Sequence, residues 1–175
     1  MPTNKQVLIK LKVCGICRTD LHIIDGELDH PKLPPVQGHE IIGSVAAIGN
    51  EVTGLKINGL VGVPWLGYTC GHCKFCLAGK ENLCDNSLFT LYTIDGGFAE
   101  YTVADSRFCI MLSAEYGKAS SAPLLCPGLI GYRSYNMIAK SAKNIGIYGF
   151  GAAAHIIKKY LLLRGKEILK YNLLP

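Results

Sequence analysis

Val7, Ile9, Leu11 and Val13 stand two apart, with lysines between the last three. That period of two predicts a half-buried strand running into Cys14-Gly15. Gly15 ends the pattern, and Arg18-Thr19-Asp20 is suited to cap a short helix carrying Leu21 and His22. HPKLPP (30–35) reads as a Pro-rich loop, and GHEIIGSVAAIG (38–49) as an apolar strand bounded by glycines. LVGVPW (60–65) is another short strand. Residues 66–97 hold a cysteine cluster and many turn formers, including Gly96-Gly97, and so leave the main core. Strand patterns return at FAEYTVAD and FCIML. Short strands with Gly-rich turns predict an all-β lobe folded as a partly closed barrel.

From Ser120 the texture changes. SSAPLLCPGLIGYRSYNMIAK has a Pro where a helix would begin, and NIGIYGF is a buried-strand candidate. AAAHIIKKYLLLRG has the length of a crossover helix, with KEILKYNL as the next strand. The fold class expected is therefore mixed α/β, with a β-rich lobe over 1–124 and the start of a βαβ domain over 125–175. The sequence holds no internal repeat or low-complexity tract.

Composition narrows this picture. With 175 residues, 49% of them hydrophobic, the chain can bury one core and a second small lobe. The net charge of +5 comes from scattered residues, so it predicts a mildly basic surface and no nucleic-acid stripe. MPTNKQVLIKLKV lacks the apolar core of a secretory signal, and no run approaches the ~18 apolar residues of a membrane helix. A cytoplasmic protein with no membrane partner is expected. In a reducing cytosol its eight cysteines are better explained by metal or chemistry than by disulfides.

TCGHCKFCLAGKENLC spaces Cys70, Cys73, Cys76 and Cys84 as two C-x-x-C steps and a seven-residue return. Two-residue gaps let successive thiolates converge on one tetrahedral Zn²⁺, and the return closes the site. Four thiolates leave no position for substrate, so the ion would be structural and would hold together a loop without a core. Three alternatives remain beside it: unlinked buried cysteines, an iron–sulfur cluster, and a zinc finger for nucleic acid. Against them stand the density of cysteines, the lack of a Pro after the last one, and the lack of a basic helix beside the site.

Taken in order, CGICRTDLH, QGHEIIGSV, the four-cysteine lobe, IDGGFAEY, APLLC and YGFGAAAH closely resemble the zinc-dependent alcohol dehydrogenases of the medium-chain dehydrogenase family. The nearest likeness is to bacterial enzymes acting on short primary alcohols. The resemblance covers nearly the whole chain and implies a GroES-like catalytic lobe followed by a Rossmann domain. It implies that Cys17, His39 and Cys126 ligate a catalytic zinc, so that two zinc ions are bound per chain. Asp20 then matches a carboxylate that orients the histidine ligand, with a plain helix cap as its alternative. Thr19 and His22 match a hydroxyl and an imidazole that pass the alcohol proton to solvent. Glu40 matches a carboxylate close behind the metal, and Arg18 a contact to a cofactor phosphate.

Cys14 and Cys109 are left over and read as packing cysteines. In GFGAAA, Gly149 allows a tight strand-to-helix turn and Gly151 the close approach of a pyrophosphate, while Ala154 stands where a third glycine often sits. The dinucleotide expected is NAD or NADP. Beside that pattern, Asn58-Gly59-Leu60 replaces a usual Gly-Asp-Arg, and Leu91 a usual glycine.

By that resemblance few residues follow the glycine motif, and the strand pair with which the family usually opens is lacking before KQVLIK, so the chain reads as a dehydrogenase truncated at both ends, its Rossmann domain incomplete. The expected partner is a small-molecule alcohol or aldehyde, with nucleic acid excluded. Members of the family are often dimers or tetramers, which leaves a homo-oligomer as one outcome. Two functional expectations stand together: a zinc-dependent, NAD(P)-linked oxidation of a primary alcohol, weak or absent in this chain alone, or a non-catalytic zinc-stabilised β-barrel fragment acting as a binding module.

Overall fold

The structure is a computed structural model that describes residues 1–171. It divides into two units, Met1–Leu125 and Cys126–Pro175, one residue beyond the boundary expected from the sequence. In the first unit the elements are β1 (Gln6–Gly15), α1 (Arg18–Ile24), β2 (Glu40–Ile48), β3 (Leu60–Val63), β4 (Leu66–Tyr68), α2 (Lys74–Leu77), β5 (Leu88–Phe89), β6 (Tyr101–Asp105) and β7 (Ile110–Met111). Five of the strands form one sheet in the order β6-β1-β2-β3-β7, and β4 pairs with β5 separately. Every pairing in these two sheets is antiparallel. The large sheet is open, with β6 and β7 as its edges, in keeping with a barrel that is only partly closed.

The centre of the sheet explains its sequence. Val7, Ile9, Ile41, Val45, Val61, Val63 and Ala104 form one buried cluster, against which Cys14 and Cys109 pack. Ile42 turns to the other face, where it meets Ala122 and Leu125 of the 3₁₀ segment Ala119–Leu125. The middle strand β2 is thus covered on both sides, which is why EIIGSV reads as a continuous apolar run and not as an alternation. Close approach fixes Gly62, where a Cβ would lie 2.7 Å from the Leu125 side chain.

In the second unit α3 (Pro127–Met137) and α4 (Ala152–Leu163) accompany two strands, β8 (Asn144–Tyr148) and β9 (Glu167–Tyr171). These strands pair in parallel from Asn144↔Glu167 to Tyr148↔Tyr171, with α4 as the crossover. This is the βαβ unit expected from the period of the sequence. The end of the expected last strand, Asn172-Leu173, lies outside the described residues. Gly149 has φ +75°, a left-handed turn that suits glycine between strand and helix. Among the described residues no helix is long and apolar enough to cross a membrane.

Two positive-φ residues fall where the sequence departs from the family pattern. Asn58 has φ 64° and Leu91 φ 75°. The Leu91 side chain is nonetheless fully buried, at 1% exposure.

Candidate metal centres

Strand register assembles the first centre. Because β1 and β2 run antiparallel with Gly15 opposite Glu40, the end of one strand lies beside the start of the other. Cys17 follows β1 by two residues and His39 immediately precedes β2, so the sheet delivers both to one place. Glu40 lies across Gly15, where a Cβ would come within 2.1 Å of its Oε2, so that a larger residue there would push the carboxylate aside. Cys126 is the junction residue, peptide-bonded to Leu125, and Leu125 is anchored in the cluster with Ile42.

Ligand atoms of Cys17, His39, Glu40 and Cys126 all lie within 4.8 Å of one another. His39 is 1% exposed, and neither of its ring nitrogens has a hydrogen-bond partner among the described residues. A buried imidazole with two unsatisfied nitrogens is costly unless something else occupies one of them. Two thiols, an imidazole and a carboxylate suit a borderline-soft, tetrahedral ion such as zinc. Burial lowers the pKa of His39, which favours the neutral ring that a metal needs. Burial, and then the nearby Asp20 carboxylate, raise that of Glu40.

Asp20 is 2% exposed, and its contacts are those of the helix cap given as its alternative. One carboxylate oxygen accepts from the Cys17 backbone N–H at 2.7 Å and the other from the Gly38 N–H at 3.0 Å. It makes no hydrogen bond to the His39 ring. Cys17 is the N-cap of α1 and Asp20 its third helical residue, so the carboxylate closes a capping box. It therefore fixes the main chain beside Cys17 and His39. Gly38 itself has φ +88°, and a Cβ there would lie 2.5 Å from the Cys14 Sγ. The Gly96-Gly97 turn holds this segment from the other side, with Gly97 N–H donating to the Gly38 carbonyl at 2.8 Å.

Thr19 Oγ1 sits 3.8 Å from the Cys17 Sγ. His22 is partly exposed, and its Nδ1 pairs with the Glu27 carboxylate. Arg18, the first residue of α1, is exposed. In the second unit Gly151 is the N-cap of α4, where an added Cβ would meet nothing within 4 Å, and Ala154 lies in the first turn. The internal packing of the unit therefore does not demand a glycine at 151.

The second centre is Cys70, Cys73, Cys76 and Cys84, whose sulfurs also lie within 4.8 Å of one another. Cys73 and Cys76 are 3.5 Å apart, Cys70 and Cys84 3.6 Å, and Cys70 and Cys76 3.9 Å. A zinc with bonds of about 2.3 Å to four sulfurs needs edges of about 3.8 Å, so the donor set fits. Hydrogen bonding from the backbone of His72 and Cys73 pulls the Cys70 thiol down to about 6, toward the thiolate that a metal requires. Arg107 ties the lobe to the sheet. Its guanidinium pairs with Asp105 at 2.6 Å, donates to the Thr69 carbonyl at 3.2 Å and lies over the Tyr68 ring.

Sequence reasoning passed over Trp65, whose ring packs edge-on against His39 with centroids 5.2 Å apart. Its position two residues after β3 in LVGVPW was the available signal, but a sequence does not show which ring faces which.

A fold of this kind carrying these two donor sets defines a class, and comparison with known proteins agrees. The alcohol dehydrogenase GroES-like domain matches residues 3–114, and the chain belongs to that family. An alcohol dehydrogenase of Geobacillus stearothermophilus is 36% identical over 170 residues, covering 96% of this chain and 50% of that protein. Among solved structures, a cinnamyl alcohol dehydrogenase of Sorghum bicolor superposes with a TM-score of 0.89 at 30% identity, covering 100% of this chain and 53% of the other. The cinnamyl alcohol dehydrogenase of Helicobacter pylori in complex with NADP(H) gives 0.88 at 29% identity, covering 97% and 52%. The chain thus spans about half the length of the relatives it matches.

Proposed function

We propose that these residues form the metal-binding catalytic portion of a zinc-dependent, NAD(P)-linked alcohol dehydrogenase that interconverts a primary alcohol and its aldehyde. The carrying observation is the convergence of Cys17, His39 and Cys126 on one point, with both nitrogens of a buried imidazole left without hydrogen bonds. In this reading Cys17, His39 and Cys126 hold the catalytic ion with Glu40 beside it, and the four-cysteine lobe holds a structural ion. When bound, the catalytic zinc supplies Lewis acidity toward an alcohol or carbonyl oxygen.

The chain's own residues then divide the remaining work. Asp20 orients the main chain that carries the ligands. Thr19, beside the Cys17 sulfur, accepts the alcohol proton as it passes its own hydroxyl proton onward, and His22, at the surface with Glu27 as its partner, delivers a proton to solvent. Glu40 holds a carboxyl group near the ligands, kept toward its neutral form by burial. Within the second unit, the open N-terminus of α4 at Gly149, Gly151 and Ala154 receives the pyrophosphate of NAD or NADP, where backbone N–H groups and the helix dipole favour an anion; Arg18 of the first unit is read separately as a cofactor-phosphate contact. The protein acts in the cytoplasm on small molecules.

A single βαβ unit gives a dinucleotide little to hold, so the 175 residues alone turn over little alcohol. Exposed apolar side chains of the second unit, including Tyr148, Leu162, Leu163 and Leu169, favour the alternative of a zinc-stabilised binding module. Zinc per chain, measured by elemental analysis, tests the central reading. Two ions are expected in the unaltered chain and one in Cys17→Ser. A single ion that survives Cys17→Ser and is lost in Cys73→Ser would leave only the structural site. Vigorous metal-dependent aldehyde production by the 175 residues would refute the weak turnover.

A further inference from the structure

Main-chain bonds shape the end of α1. Asp25 is its C-cap, and Gly26 follows with φ +70°, the left-handed turn that closes a helix. The Gly26 N–H donates to the Ile23 carbonyl at 3.2 Å and the Glu27 N–H to the His22 carbonyl at 2.9 Å. Together these two bonds make a Schellman motif, which folds the second residue past the cap back over the residue three places before it.

Glu27 and His22 hold those two places. An apolar pair commonly meets there, but here the Glu27 carboxylate meets the His22 ring at Nδ1. An ionised carboxylate only accepts, so Nδ1 must donate and therefore carries the ring proton. The neutral ring is left with a bare Nε2, the one atom at which it can take up another proton. Both side chains are partly exposed, so the pair has access to water. The stretch HIIDGE (22–27) thus encodes the contact locally: a histidine in the last turn, a glycine for the left-handed turn, and an acid directly after it.

From this geometry we infer that Glu27 is a positioning residue for His22: set in place by the helix cap, it fixes the tautomer of the ring and leaves Nε2 as the proton-accepting atom. The inference rests on the proton route proposed above and adds to it the atom at which the proton enters the ring. A proton taken up at Nε2 gives an imidazolium whose charge lies against the Glu27 carboxylate. Loss of one proton to water then returns the neutral ring, and the carboxylate again selects the form with hydrogen on Nδ1.

The test uses the whole chain, loaded with zinc and labelled with ¹⁵N. Long-range proton–nitrogen correlations of the imidazole rings distinguish a nitrogen that bears hydrogen from one that does not, and His22→Gln identifies the His22 signals. In mildly alkaline buffer, where an ordinary imidazole is neutral, the unaltered chain is expected to show Nδ1 protonated and Nε2 bare as the majority form. A free histidine ring in water favours the opposite tautomer. Glu27→Ala, which removes the acceptor, and Glu27→Lys, which replaces it with a donor, should therefore both invert the majority, with circular dichroism and zinc content unchanged. A His22 ring that carries hydrogen on Nε2 alone, or on both nitrogens, in the unaltered chain would overturn the inference. So would Nδ1–H kept as the majority form in either variant. The dehydrogenase reading fails separately: a chain without the Cys17-dependent ion but with Nδ1 protonated would remove the catalytic use and uphold the pairing, whereas two bound ions with the wrong tautomer would strike Glu27 from the route and leave the reading in place.

Discussion

Replacing Asp20 by alanine removes one carboxylate and strands two backbone donors. The Gly38 N–H is buried, so losing its 3.0 Å acceptor should cost the full penalty for an unsatisfied group, about 1–3 kcal/mol. The Cys17 N–H is only partly buried at its 2.7 Å bond, so water recovers part of that loss. A lost N-cap contact of this kind costs about 1 kcal/mol. Together the change should destabilise the first unit by about 2–4 kcal/mol, a large share of the 5–15 kcal/mol that holds a typical domain. Asp20→Asn keeps one acceptor oxygen and should lose about half as much. Urea unfolding followed by circular dichroism gives the stability, and elemental analysis of the folded fraction gives the metal. Both bonds fix main chain next to Cys17 and His39, so the Cys17-dependent ion should be depleted while the four-cysteine ion stays. An Asp20→Ala chain within about 0.5 kcal/mol of the original, with its metal content intact, would refute the reasoning.

Arg107→Met removes the Asp105 pair and the bond to the Thr69 carbonyl, which together should cost about 1–2 kcal/mol after allowance for the exposure of the guanidinium. Arg107→Lys should recover little, because a point charge does not reproduce the fork; a lysine variant with the original urea midpoint would contradict this. Burial pushes the Cys109 thiol from its ordinary 9.0 up to about 12, so folding favours the protonated form. Its contribution to stability is complete below pH 9 and is lost as pH rises toward 12. The melting temperature of the unaltered chain should therefore fall more steeply over that range than that of Cys109→Ala, and parallel curves would show that the thiol contributes nothing.

The sequence made the elements legible because period-two and helical spacings are local properties. The turn glycines were legible for the same reason: Gly149 announces its positive φ by its place between an apolar run and small residues. The four-cysteine lobe was also visible, since its ligands fall within fifteen consecutive positions. Cys17, His39 and Cys126 were not, because only strand register and the anchoring of Leu125 unite them, and their selection came from family resemblance. Asp20 shows the limit of that route. Resemblance identified the residue, but its partners are two backbone N–H groups, a detail that depends on how Gly38 turns. Trp65 escaped altogether, since a ring contact across the fold leaves no mark on periodicity.

The left-handed backbone at Leu91 restricts how this chain can change. Glycine there would relieve a conformation that costs an ordinary residue about 1–2 kcal/mol. It would also empty the space filled by a fully buried leucine, at about 2–5 kcal/mol. Alanine would gain neither advantage, keeping the strained φ while opening much of the same cavity. The route from leucine to glycine therefore runs through a less stable protein unless a neighbouring side chain first grows into the space. The order in which substitutions arrive, and not only their identity, decides whether that position can change.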